Sequence, residues 1–94
     1  MEPDFEWHAW KAAENRRKHR VSFEEAVTSF ADPLSVSVAD HDHSGPREAR
    51  YILIGLSERG RLLVVSHAER GPAIRIISAR EATRYEREQY EEGE

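Results

Sequence analysis

Apolar residues fall along this chain in two rhythms. Trp7, Trp10 and Ala13, with Lys11, Glu14, Arg16 and Arg17 between them, recur at the spacing of one helical face and predict a short amphipathic helix over about 8–18. Two tryptophans in that setting read as core. Phe23, Ala26, Val27 and Phe30 follow at i, i+3, i+4 and i+7, behind a Ser22-Phe23-Glu24-Glu25 capping box, and predict the clearest helix of the chain. Asp32-Pro33 ends it, because the proline ring cannot continue the turn and restricts the residue before it.

The rhythm then changes to period two. Leu34-Ser35-Val36-Ser37-Val38 predicts a strand with one wet and one buried face, followed by a loop over Asp40 to Pro46. Arg50 to Leu56 and Arg61 to Val65 are rich in Ile, Leu and Val and flank Ser57-Glu58-Arg59-Gly60, which predicts a hairpin with Gly60 free to take positive φ. Glu69-Arg70-Gly71-Pro72 makes the next turn, and Ala73 to Ser78 supplies a fourth strand. Ser78-Ala79-Arg80-Glu81 has the capping-box form again and predicts a last helix over about 80–91. Its apolar stripe is thin (Ala82, Tyr85), and the pairs Arg84 with Glu88 and Arg87 with Glu91 add only tenths of a kcal/mol each. The expected fold class is α+β, a small single domain spanning 1–94 with two N-terminal helices, a four-stranded antiparallel sheet and a C-terminal helix.

Composition narrows the function classes. With 94 residues there is room for one modest core. No window approaches the roughly 20 apolar residues of a membrane span, and the opening MEPDFEW lacks the basic-then-apolar layout of a secretory signal, so a cytoplasmic protein with no membrane contact is expected. The absence of cysteine excludes disulfides, thiolate metal sites and a cysteine nucleophile. The net charge of -4 argues against nucleic-acid binding until its distribution is read. Residues 47–80 carry seven Arg against three Glu, Arg16 to Arg20 adds a second basic cluster, and the C-terminal residues 81–94 hold six Glu against two Arg. A locally positive surface on an acidic protein is therefore available.

Several segments, in this order and spacing, resemble the BrnT family of toxins. They are Phe5-Glu6-Trp7; Lys11-Ala12-Ala13-Glu14-Asn15 with Lys18-His19; Val21 to Ala26 with Phe30-Ala31-Asp32-Pro33; Arg50 to Ser57; Arg61 to Val65 and Glu69-Arg70; and Ile74 to Thr83 with Glu86-Arg87 and Tyr90. The resemblance implies a RelE-like toxin fold, RNA cleavage, and a BrnA-type antitoxin that masks the toxin and carries it to operator DNA. Two positions depart from the family pattern. His8-Ala9 stands where an Asp-Pro pair usually opens the first helix, and Arg20 stands where a glycine usually follows Lys-His, which either extends that helix or loads charge beside His19.

Cutting RNA without a metal or cofactor requires a base for the 2′-hydroxyl proton, an acid for the departing 5′-oxygen, and cations for the phosphorane. Histidine titrates in the right range, and the planar fork of arginine fits a phosphate. Arg61, Leu63, Val65, His67 and Glu69 share one face of the third strand by parity, and Arg75 shares its face of the fourth with Ile77 and Ala79. If the two strands bring His67 and Arg75 to the same side, they grip one phosphate, with Arg80 at the strand-to-helix junction. The expected catalytic group is His67, Glu69, Arg75 and Arg80; Lys18, His19, Arg61, Arg70 and Tyr90 are expected substrate contacts. Tyr85 and Tyr90 also suit packing against the sheet. Asp40-His41-Asp42-His43 has metal-ligand residue types, but in a turn it reads as a solvated loop. Two rival readings remain: a RelE- or ParE-like toxin that blocks a protein target by docking, and a structural partner of a DNA-binding antitoxin.

Overall fold

The computed structural model describes residues 4–92. Among them, β1 (Asp4–Glu6), α1 (Ala9–His19), α2 (Phe23–Thr28) with a 3-10 turn (Ser29–Ala31), β2 (Val36–Ala39), β3 (Ala49–Leu56), β4 (Leu62–Arg70), β5 (Ala73–Glu81) and α3 (Arg84–Glu92) follow one another. The sheet runs in the order β1-β5-β4-β3-β2, with β1 parallel to β5 and every other pair antiparallel. The sheet is therefore mixed and five-stranded, not four-stranded and antiparallel. The added strand escapes a periodicity search because it is three residues long and is ordered only by its partners Ala73 to Arg75.

One face of the sheet carries the core. Val21, Phe23 and Ala26 of the α1–α2 layer pack with Leu63, Val65, Ile76 and Ala79, and Trp7 meets Phe23 edge-on at 5.9 Å. Trp10, expected in the core, is 67% exposed. Trp7 precedes the helix, so the buried face of α1 is set by Ala12 and Asn15 and not by the 7, 10, 13 spacing. Asn15 is buried and holds α1 to both neighbours. Its Nδ2 donates to Val21 O (2.9 Å) and Ala79 O (2.8 Å), and its Oδ1 accepts from Ala79 N–H (3.0 Å). Gly55 marks where the 3-10 turn crosses β3, since a Cβ there would sit 2.7 Å from Ser29 O.

The second Ser-x-x-Glu box does not open a helix. Residues 78–81 continue β5, paired with Ser66 to Leu63 of β4, and α3 begins at Arg84 behind a different box. Glu86 N–H donates to Thr83 Oγ1 (3.2 Å) and Thr83 N–H donates to Glu86 Oε1 (2.8 Å). Of two boxes five residues apart, strand pairing consumed the first. The Arg20 position is resolved as well: α1 stops at His19, and Arg20 takes the left-handed conformation (φ 58°, ψ 33°), a conformation that a glycine adopts without a side-chain penalty.

Two stability measurements follow. Asn15→Ala strands the Val21 and Ala79 backbone groups in the core, and urea unfolding is expected to show a loss of about 2–4 kcal/mol. Arg20→Gly relieves the left-handed residue, and the same assay is expected to show a gain of about 0.5–1 kcal/mol after the added freedom of the unfolded chain is subtracted.

Candidate functional site

A β-bulge decides which charged side chains of the sheet stand together. Ser66 pairs with Ser78 but His67 pairs with Ile76, so Ile77 is an extra residue in β5. Parity reverses across it. Ile76 and Ala79, three apart, both face the core, and Arg75 and Arg80, five apart, both face the other side.

That other side has a charged row. Arg50, Ala68 and Arg75 are direct partners across β3, β4 and β5, with Cα atoms of the two arginines about 10 Å apart for two strand spacings. Asp40 extends the row at one end, its N–H donating to Arg50 O (2.8 Å), and Glu6 extends it at the other as the partner of Arg75. Arg80 lies further along, opposite Val64. It binds Glu86 of α3 through two bonds of 2.7 Å each, which ties α3 to the sheet near the Val64 end of this row.

Each arginine already has a carboxylate. Arg75 donates through Nε (3.0 Å) and Nη2 (2.6 Å) to Glu6 Oε2, and its Nη1 lies 2.8 Å from His8 Nε2. Arg50 Nε donates to Glu48 Oε2 (3.1 Å), and Arg70 lies 4.0 Å from the same carboxyl group. The Glu86 carboxyl is held down to about 2, first by the Arg80 hydrogen bonds.

His67 does not join this row. It faces the α1–α2 layer with Val65, in a ring contact with Phe30 (4.9 Å), stacked on Tyr51 (5.7 Å), and only 4% exposed. Burial lowers its pKa below the ordinary imidazole value, so it is neutral at pH 7. Glu69 shares that face, opposite Ala49 and Ile74. The expected pairing of His67 with Arg75 on one phosphate is thus corrected: the tight turn at Gly71-Pro72 aligns Arg75 with Ala68, one residue out of phase with His67.

The remaining expected contacts divide as follows. Arg61 binds buried Glu25 through Nε (2.9 Å) and Nη2 and donates to Arg20 O, which ties the β3–β4 hairpin to α2. Ser57 Oγ donates to the same Glu25 carboxylate (2.7 Å), and the Arg61 hydrogen bonds chiefly hold its pKa down. Tyr90 is buried, its hydroxyl donating to Asp32 Oδ2 (2.7 Å). Lys18 and His19 sit exposed at the end of α1, on the opposite layer; Lys18 pairs with Glu14. Arg61 and Tyr90 therefore serve packing, and Arg70, Arg75 and Arg80 stay on the open face.

Sequence reasoning missed Arg50 and the loop after β2. A pocket of about 170 Å³ is lined by Asp40, His43, Arg50 and Ser66, with Tyr51, His67 and Ile77 also bordering it. His43 Nδ1 lies 2.9 Å from Asp40 Oδ2. Among the described residues no group of three or more metal-ligating side chains converges, and of the four loop residues only these two meet. The signal available in the sequence was the Asp-x-x-His spacing inside the alternating tract. A larger groove of about 820 Å³ on the other layer is mainly apolar, lined by Phe5, Val27, Phe30, Pro33 and Leu56.

Comparison with known proteins supplies a context. The profile of the family described as "Ribonuclease toxin, BrnT, of type II toxin-antitoxin system" matches residues 7–86. Among solved structures, the crystal structure of the Brucella abortus ribonuclease toxin BrnT aligns with a TM-score of 0.63 over 88% of this chain and 100% of that one. The two share 19% identity, so this likeness speaks for the fold alone. No curated protein matches the chain.

The Arg80–Glu86 pair predicts a pH dependence. A carboxyl held at about 2 when folded and near 4.5 when unfolded stabilises the fold above pH 4.5, and that contribution is lost as pH falls toward 2. Arg80→Met is expected to be less stable than the parent at pH 6, with the difference shrinking steadily between pH 4.5 and 2 in thermal melts. A difference that stays constant over that range would refute the coupling.

Proposed function

Because the chain belongs to the BrnT family of ribonuclease toxins of type II toxin–antitoxin systems, we propose that it is an endoribonuclease that cuts RNA without a metal and thereby inhibits translation and growth. A BrnA-type antitoxin neutralises it and links the complex to operator DNA. The architecture is read as a variant of the RelE-like toxin fold.

The observation that carries this reading is the row on the open face. Arg50 and Arg75 stand on either side of Ala68 across three adjacent strands, which supports a reading in which a ribose-phosphate is held between two guanidinium groups on one face. Arg75 binds the phosphate and stabilises the phosphorane, and Arg80 is a further cation along the same face. Their carboxylate partners hold the forks in place, and an entering phosphate can share the same donors. Proton transfer is assigned to groups on this face, because the His67 ring is buried against Phe30 and Tyr51 and Glu69 shares the parity of His67 on the other face of the strand. The apolar groove beside Phe30 supports a protein partner, because a patch of that kind gains from being covered.

The test is incubation of purified chain with a 5′-labelled RNA in EDTA. The parent is expected to cut and leave 2′,3′-cyclic phosphate ends. Arg75→Ala is expected to be slower by about 100-fold or more, while Arg59→Ala on the distant hairpin keeps the parent rate. Cleavage that needs Mg²⁺ or leaves 3′-hydroxyl ends would exclude the mechanism. RNA left intact by a folded protein would favour a toxin that acts by docking onto a protein target.

A further inference from the structure

We infer that His43, oriented by Asp40, is the base that takes the 2′-hydroxyl proton, an assignment that rests on the ribonuclease reading above. The chain has five histidines, and their surroundings separate them. His67 is buried between aromatic rings. His8 already spends Nε2 on Arg75 Nη1 at 2.8 Å. His19 and His41 are exposed, and neither makes a side-chain hydrogen bond or ion pair among the described residues. Among the described residues, His43 alone combines a ring nitrogen held by a carboxylate, a second nitrogen with no side-chain partner, and a place in a pocket beside a guanidinium and a hydroxyl.

The loop that carries it is anchored to the charged row and not loosely attached. Asp40 N–H donates to Arg50 O (2.8 Å), and Ser44 Oγ closes the loop by donating to Asp40 O (2.8 Å) while accepting from Arg50 N–H (2.9 Å). The Asp40 side chain is 18% exposed, so the carboxylate is fixed, whereas the His43 ring is 68% exposed, as a group that meets a polymer must be. An Asp carboxylate on Nδ1 selects the Nδ1–H tautomer and leaves Nε2 as the proton acceptor. Arg50 uses only Nε on Glu48, so its two terminal nitrogens can face a phosphate in the same pocket.

In the step itself the 2′-oxygen forms its bond to phosphorus as its proton moves to His43 Nε2. The bond from phosphorus to the 5′-oxygen breaks, and that oxygen takes a proton from solvent water. A 2′,3′-cyclic phosphate and a 5′-hydroxyl result, and His43 returns its proton to solvent. Asp40 is a positioning residue throughout.

Single-turnover cleavage in EDTA tests the assignment beside binding of the same RNA carrying 2′-O-methyl groups. His43→Ala and His43→Gln are expected to cut at least ~100-fold more slowly, while 2′-O-methyl RNA binds within about threefold of the parent. In Asp40→Ala, ¹⁵N NMR of the His43 imidazole is expected to show the Nδ1–H tautomer no longer dominant, a change that loss of loop packing alone does not predict. Cleavage by both His43 variants within about tenfold of the parent, or equal losses of binding and cleavage, overturns the base role and leaves the ribonuclease reading standing. A parent that leaves RNA intact overturns both.

Discussion

The bulge at Ile77 is the constraint on which the rest of this molecule depends. Without it, strict alternation along β5 would send Ile76 and Ala79 to opposite faces, and one of them would leave the core. The same reversal would separate Arg75 from Arg80. A single inserted residue therefore serves two purposes. It keeps a continuous apolar surface beneath α1 and α2, and it gathers arginines on the face those helices do not cover.

A core this small is assisted by buried polar pins. Asn15 satisfies both backbone groups of Ala79 and so fixes α1 over β5 in one register. Glu25 joins α2 to the hairpin through Arg61 and Ser57, and Asp32 joins the end of the 3-10 turn to Leu56 N–H and to the Tyr90 hydroxyl of α3. Burial alone would raise the Asp32 pKa, but the three bonds it accepts, from Leu56, Tyr90 and Leu34, leave it below the ordinary value. These contacts are directional where apolar packing is not, so they select one arrangement of short elements. They also explain why Arg61 and Tyr90, polar and conspicuous in the sequence, belong to the scaffold.

Local pattern revealed the elements better than it revealed their partners. The helix at Phe23 was legible because its cap and its apolar spacing agree, and the β3–β4 hairpin because Gly60 sits between two apolar runs. β1 was not legible, since three residues carry no period, and neither was the bulge, whose position is set by pairing with β4. The site suffered from that omission. Parity arguments put Arg75 with Ala79, when the extra residue puts it with Arg80. Likewise the alternating Asp-His tract looked like solvated loop, because only the folded chain shows Ser44 and Arg50 binding Asp40 to the sheet edge.

The charge distribution then acquires a physical logic. An acidic chain cannot attract RNA from a distance by its net charge, so affinity must come from short-range contacts. On the open face each arginine fork rests on a glutamate, Arg75 on Glu6, Arg80 on Glu86 and Arg50 on Glu48, which neutralises the face for long-range purposes while ordering the donors. Ordered donors lose little freedom when a phosphate arrives, and the same donors can be shared with it. A face built this way is selective for a ligand that enters closely enough to replace a carboxylate, and it gives a covering protein with its own acidic side chains the same means of entry.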